Sequence, residues 1–243
     1  MDSSRLADLA VPGWQVEYLD AVGSTNAVAR QRPAGTVVVT DHQTAGRGRL
    51  DRTWQTPAGV ALTSSAVVDP QQPDARWPWL PLLVGLAVAE AIPVPAGLKW
   101  PNDVMVGGRK IAGILVERVP GTSSGPLAVL GVGLNVHQSE LPVPTATSLA
   151  LEGAARDRGD LLAALLAGYT SRLADWREPG GADRLRAAYI ARCVTLGRDV
   201  EVHLPGERRL AGRAESIDDG GRLVVVTGGE RHPVGAGDVV HVR

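Results

Sequence analysis

Three residue types that usually occur in quantity are scarce in this sequence. Cysteine appears once, as Cys193, which excludes an internal disulfide framework and any zinc site built on four cysteines, and suits a reducing compartment. Lysine appears only as Lys99 and Lys110, so arginine supplies all but two of the 25 basic residues. Asparagine appears only as Asn26, Asn102 and Asn135. All five of these lysines and asparagines fall in short polar stretches containing glycine or proline, which marks them as positions where arginine or aspartate would not serve. An excess of charge is also missing: 25 basic residues face 26 acidic ones, leaving no field to hold the chain on DNA or an anionic membrane. No apolar run is long enough to span a bilayer, and Met1–Arg5 lacks a basic stretch leading into an apolar one. The expectation is a cytoplasmic protein with neither nucleic acid nor membrane as partner, in which Cys193 is a small buried apolar residue.

The 243 residues can bury a sizeable core, and the texture of the chain divides them in two. Thr36–Asp41 and Val60–Val68 read as buried strands, and Trp79–Ile92, apolar around most of its circumference with Pro81 in its first turn, as a core helix. Gly107-Gly108 predicts a tight hairpin between strands at Asp103–Val106 and Arg109–Val119, placing Lys110 early on the returning strand. Leu127–Val136 is a further strand whose Gly131 and Gly133 permit a close approach of ligand or backbone. Leu161, Leu165, Tyr169, Leu173 and Trp176 recur at helical spacing. Strands alternating with helices predict an α/β layered domain over residues 1–195. From Leu196 short alternating strands separated by Pro205-Gly206, Asp218–Gly221 and Gly228-Gly229 predict a small barrel of about five strands over 196–243.

Chemistry concentrates in a few segments. Thr44–Trp54 packs three arginines among glycines; glycine lets backbone N–H groups converge on an anion, and arginine forks match phosphate oxygens. A solvated basic turn is the alternative, and neither a P-loop nor a dinucleotide fingerprint is present. Lys99–Asp103 joins a cation, an amide and a carboxylate around Pro101: Asp103 can hold Mg²⁺ while Lys99 faces phosphate, or Pro-Asn-Asp is simply a turn. Lys110 lies one hairpin away and can serve the same pocket, or stand as an exposed strand charge. Ser24-Thr25-Asn26 reads first as a helix N-cap, which is compatible with binding a neutral polar ring. His42, His137, His203, His232 and His241 lack metal-ligand spacing, and no G-x-S-x-G occurs, so zinc hydrolysis and a serine nucleophile find no support.

In this order the motifs resemble the biotin protein ligase family, the biotin–[acetyl-CoA-carboxylase] ligases. The match runs from Ser24-Thr25-Asn26 through Gln43–Arg49 and Trp54 to Lys99–Val104. It continues with Lys110–Leu115, Gly131–Val136 and Ala146–Leu149. The resemblance implies a mixed sheet with flanking helices, related to the catalytic domains of class II aminoacyl-tRNA synthetases, followed by an SH3-like barrel. It implies that biotin and MgATP give biotinyl-5′-AMP, whose acyl group passes to a lysine of a biotin carboxyl carrier domain with no covalent enzyme intermediate. It assigns Ser24, Thr25, Asn26, Gln43 and Gly113 to biotin, and Arg47, Gly48 and Arg49 to a loop closing over biotin and phosphate. Lys110 goes to the carboxylate and its developing charge, and Trp54, Asn102 and Asn135 to the nucleotide. Asp103 goes to the metal, and Lys99 to the phosphates or the incoming acceptor. A lipoate ligase with the same adenylate chemistry, or a binding module on an inactive ligase fold, are the alternatives. Asp51 stands where the family commonly has glycine, and the roughly 20 residues before Ser24 are too few for a helix-turn-helix domain, so a monofunctional ligase is expected.

Overall fold

The structure is a computed structural model that describes residues 2–50, 52–121, 125–204, 206, 208–235 and 237–242; Asp51, singled out above, lies outside the described residues. Seven strands form the larger sheet: β1 (Gln15–Val22), β2 (Thr36–Gln43), β3 (Ala61–Val68), β4 (Gly97–Lys99), β5 (Asp103–Val106), β6 (Arg109–Val119) and β7 (Leu127–Asn135). Their order is β1-β2-β3-β7-β6-β5-β4. The β1–β2 pair is parallel and every other pair antiparallel, so the sheet is mixed, as expected.

Helices α1 (Asp2–Ala7), α2 (Thr25–Ala29), α3 (Leu80–Ala91), α4 (Arg158–Arg177) and α5 (Gly181–Arg192) complete this part. The central strands are buried on both faces, which is why β3 and β7 carry small and β-branched residues without polar alternation. On one face Val37, Leu62, Leu130, Leu134, Ala112 and Ile114 join the main core with α3 and α4. Helix α3 is buried nearly all round, hence its continuous apolar sequence. Helix α4 begins at Asp157, whose carboxylate accepts from the N–H groups of Gly159 and Asp160 at 2.9 and 3.1 Å.

The opposite face is different. A smaller cluster of Ala29, Val38, Val67, Val119, Leu127 and Val129 packs under the short α2, and beyond it the row Thr40, Thr63, Gly133, Gly113, Asp103, Lys99 crosses the sheet in register. This row carries almost no side-chain volume at its centre, so the face opens into a hollow.

The Gly107-Gly108 hairpin forms where the sequence places it, with φ of 55° and 78°. In strand register Asp103 lies opposite Gly113, and Lys110 opposite Met105 across a register shift between Val104 and Met105. The C-terminal residues form β8 (Asp199–His203), β9 (Arg209–Ile217), β10 (Leu223–Thr227), β11 (Glu230–Val234) and β12 (Asp238–His241). They make an antiparallel five-stranded sheet in the order β11-β10-β9-β8-β12. Trp79 and Trp100 tie this sheet to the larger one by donating their indole N–H groups to the carbonyls of Asp219 and Gly221 at 2.8 and 3.1 Å.

Candidate active site

One cavity collects most of the residues singled out from sequence: Ser24, Thr25, Asn26, Gln43, Arg47, Gly48, Arg49, Trp54, Asn102, Asp103, Lys110 and Gly113 line it. Its floor is the bare backbone of Gly131 and Gly133. A Cβ on Gly133 would come within 2.4 Å of the Trp54 ring, and one on Gly131 within 2.2 Å of Asn26 Oδ1, so glycine is required at both for these side chains to lie flat on the sheet. The free space in it is about 120 Å³, less than the roughly 300 Å³ of a small-molecule pocket. Trp54 fills part of it, its indole N–H buried without an acceptor.

The inner end is neutral and polar. Gln43 Oε1 accepts from the backbone N–H of Thr25 at 2.8 Å and lies 3.1 Å from its hydroxyl, so the Gln43 amide nitrogen turns toward Gly46 and the cavity. Ser24 occupies the N-cap position of α2, but its hydroxyl makes no capping bond. The capping expectation is met in position and not in bonding, which leaves that hydroxyl to the cavity. Asn26 Nδ2 donates to Glu117 Oε2 at 2.8 Å and to the Leu115 carbonyl at 3.3 Å.

The outer end is cationic. The arginine loop folds back on itself through Gly48 N–H to Arg52 carbonyl at 2.6 Å and Trp54 N–H to Gly46 carbonyl at 2.9 Å. Arg49 donates to Asn102 Oδ1 at 3.1 Å and to the Gly237 carbonyl at 3.2 Å. Arg52 is paired with Asp238, which also lines the cavity. Burial pulls the Arg49 guanidinium below its usual range, and the charges of Asp238 and Asp103 pull it back. Its bonded acceptors are neutral, so an anion entering here finds a partly desolvated cation. Among the described residues Arg47 makes no ion pair and is exposed.

Lys110 Nζ lies 2.6 Å from Asp103 Oδ1, and that oxygen is buried with no directed hydrogen bond; the contact is an ion pair whose geometry is poor for hydrogen bonding. The lysine chain passes over Gly113, where a Cβ would be 3.1 Å from Nζ, with the ammonium 5.8 Å from the Trp54 ring centre. Its backbone is clamped by the Thr145 carbonyl and the Thr147 N–H, both at 2.8 Å, which gives the Ala146–Leu149 segment its task.

Two expected residues are not brought into the cavity. Lys99 shares a face with Asp103 as its cross-strand neighbour on β4 but stands at the sheet edge beside His241. The Asn135 amide is buried and spent, donating to the Thr147 carbonyl at 2.9 Å and accepting from Gln138 at 3.0 Å. In the other direction, Thr63 and Asp238 line the cavity and Ser65 and Glu117 support it, none of them foreseen. The polar pair Thr63 and Ser65 inside an apolar strand was the one local signal; Asp238 gave none, because its place depends on how two sheets dock.

Fold and site together define an acid-activating ligase: a cavity with neutral donors and acceptors at one end and cations at the other. The chain matches the Biotin/lipoate A/B protein ligase family over residues 23–135 and the Biotin protein ligase C terminal domain over 195–242. Over its whole length it is 43% identical to the biotin–[acetyl-CoA-carboxylase] ligase of Mycobacterium tuberculosis, covering 96% of that protein. It is 31% identical to the ligase of the same name from Paracoccus denitrificans, with 89% of this chain and 96% of that one covered. The biotin protein ligase of Aquifex aeolicus, solved in complex with biotin and ATP, superposes with a TM-score of 0.80 at 28% identity, covering 94% of this chain and 99% of that one. The chain belongs to the biotin protein ligase family.

Proposed function

We infer that this chain condenses biotin with ATP to biotinyl-5′-AMP and pyrophosphate, then passes the biotinyl group to the ε-amine of a lysine on the carrier domain of a carboxylase, forming an amide and releasing AMP. The observation that carries the reading is the polarity of this cavity, neutral at Ser24, Thr25 and Gln43 and cationic at Lys110, Arg47 and Arg49. A cyclic urea has one acceptor and two donors and suits the first end; a carboxylate meeting an α-phosphate suits the second. Lipoate, the acid of the related enzymes, ends in a dithiolane that would leave those inner groups unpaired, a loss that sites of this kind penalise heavily.

In this reading Lys110 exchanges Asp103 for the biotin carboxylate and the charge that develops on the oxygens of the attacked α-phosphate. Arg47, Gly48 and Arg49 close over the phosphates, and Trp54 and Asn102 face the nucleotide. The bonding of Asn135 supports a role in bracing the loop that clamps Lys110, and the edge position of Lys99 favours the acceptor side over the phosphates. Among the described residues no group of three potential ligands could hold a metal alone. One buried carboxylate oxygen on Asp103, with Asp238 nearby, fits the way Mg²⁺ is bound by one or two carboxylates together with substrate phosphates. Magnesium would there neutralise phosphate charge. We propose the division at residues 1–195 and 196–243, with the C-terminal sheet supplying Asp238 to the cavity. No helix among the described residues is long and apolar enough to cross a membrane, and the need for ATP and the unpaired Cys193 support a cytoplasmic place of work. Incubation with biotin, ATP and a carrier domain should raise the carrier's intact mass by one biotinyl group; an unchanged mass would refute transfer.

A further inference from the structure

Behind the inner end of the cavity lies a layer of side chains that does not line it. Ser65 is fully buried on β3; its Oγ lies 2.6 Å from Asn26 Oδ1 and 2.7 Å from Thr25 Oγ1. Glu117 on β6 accepts from Asn26 at 2.8 Å and is paired with Arg30 at 3.6 Å.

These contacts fix where every hydrogen goes. The Glu117 carboxylate and the Leu115 carbonyl accept only, so the Asn26 amide must turn its NH₂ toward them and its oxygen toward Ser65. Ser65 has one hydrogen, and the Asn26 oxygen, having none, takes it. The 2.7 Å contact between Ser65 and Thr25 then needs the hydrogen of Thr25, and the contact left without one is the longest of the three, the 3.1 Å from the Thr25 hydroxyl to Gln43 Oε1, whose oxygen already accepts from the Thr25 N–H. With that proton turned inward, Thr25 presents a lone pair to the cavity. Gln43, whose oxygen is held by the Thr25 N–H, presents its NH₂.

We propose that Ser65 and Glu117 are positioning residues that set this polarity, making Thr25 an acceptor and Gln43 a donor for the two kinds of group on a cyclic urea. The inference rests on the biotin reading of the cavity and deepens it. Without Ser65 the Asn26 oxygen is an unpaired buried acceptor and Thr25 loses the partner that holds its proton inward. Without the Glu117 oxygen the Asn26 amide keeps only its longer bond to Leu115 and can turn over. Glutamine at 117 still offers an oxygen and should preserve the chain of bonds.

The test is steady-state pyrophosphate release in the presence of a carrier domain by the full chain and by Ser65→Ala, Glu117→Ala and Glu117→Gln, with KM for biotin and for ATP, kcat and thermal melting measured for each. Expected are rises in biotin KM of about tenfold or more for Ser65→Ala and about fivefold for Glu117→Ala. ATP KM and kcat should stay within about twofold of wild type, and Glu117→Gln within about twofold on all three. Glu117, whose side chain is 27% exposed, keeps the test open should Ser65→Ala fail to fold. Wild-type biotin KM in Glu117→Ala, equal losses for biotin and ATP, or no recovery in Glu117→Gln would each overturn the inference. Wild-type enzyme that uses lipoate and ignores biotin would instead overturn the reading beneath it.

Discussion

The two ends of the cavity are built in different ways. At the inner end the side chains of Thr25, Asn26 and Gln43 sit on α2 and β2, bonded to one another and to buried Ser65. At the outer end the arginines sit on a loop, with Leu50 at its tip 62% exposed and in a left-handed conformation, φ 54°. That loop is held by contacts to a second sheet, Arg49 to Gly237 and Arg52 to Asp238. An end fixed by short-range bonds among buried groups is pre-organised for a rigid ring. An end held by one exposed ion pair and two hydrogen bonds to neutral acceptors is cheap to release, as a loop that must admit ATP and then an acceptor lysine requires. Trp54, stacked on Gly133 in a space too small for the substrates, lies between the two.

Changes at the junction should have the largest effect. Lys110→Ala should slow biotinyl-AMP formation by about 100-fold or more, about 2.7 kcal/mol of transition-state stabilisation, with the melting temperature little changed; single-turnover adenylate formation near the wild-type rate would break the account. Gly133→Val should follow, lowering biotin affinity about 30-fold in a calorimetric titration, because its Cβ would stand 2.4 Å from the Trp54 ring and the floor would lose its flatness. At the outer end Arg47→Ala should leave adenylate formation within about tenfold and raise the release of biotinyl-AMP to solvent, read as adenylate recovered in the filtrate. Tight retention would show that Arg47 is no part of the closure. Asp238→Asn, which removes the charge facing Arg52, should change KM for ATP by about threefold and leave biotin KM alone.

The smallest effect concerns the seam between the sheets. Burial, with Lys99 and Arg198 nearby, lowers the His241 pKa to about 4, and its ring also meets Thr195 at 3.3 Å. A base held below its ordinary value favours the folded state above about pH 6.5, and that contribution disappears as pH falls from 6.5 toward 4. The melting temperature of His241→Gln should therefore fall less than that of wild type over this interval; parallel curves would remove His241 from the seam's energetics.

Much of the fold was legible because periodicity and turn chemistry are local. Val60–Val68, Leu127–Val136, the Gly107-Gly108 hairpin and the helix after Trp79 all formed within a residue or two of where the pattern put them. Helix α5 and strand β1 were not foreseen: the first buries only Gly181, Leu185 and Tyr189, and the second is a half-buried edge strand, so neither carries a strong stripe. The cavity residues were legible through scarcity and motif order, which is how Lys110 and Asn26 stood out. Strand order is not written locally, and so the sequence did not show that Ser65 would lie beneath Asn26 or Asp238 beside the arginine loop. The same limit misplaced Asn135, whose amide is satisfied by Gln138, a partner visible only once the loop after β7 has turned back.

Pyrophosphate release with ATP and either biotin or lipoate, in wild type and Lys110→Ala, tests the central claim most directly. The account predicts release with biotin that is lost in the variant and little or none with lipoate. Release driven by lipoate alone, or undiminished in Lys110→Ala, would contradict it.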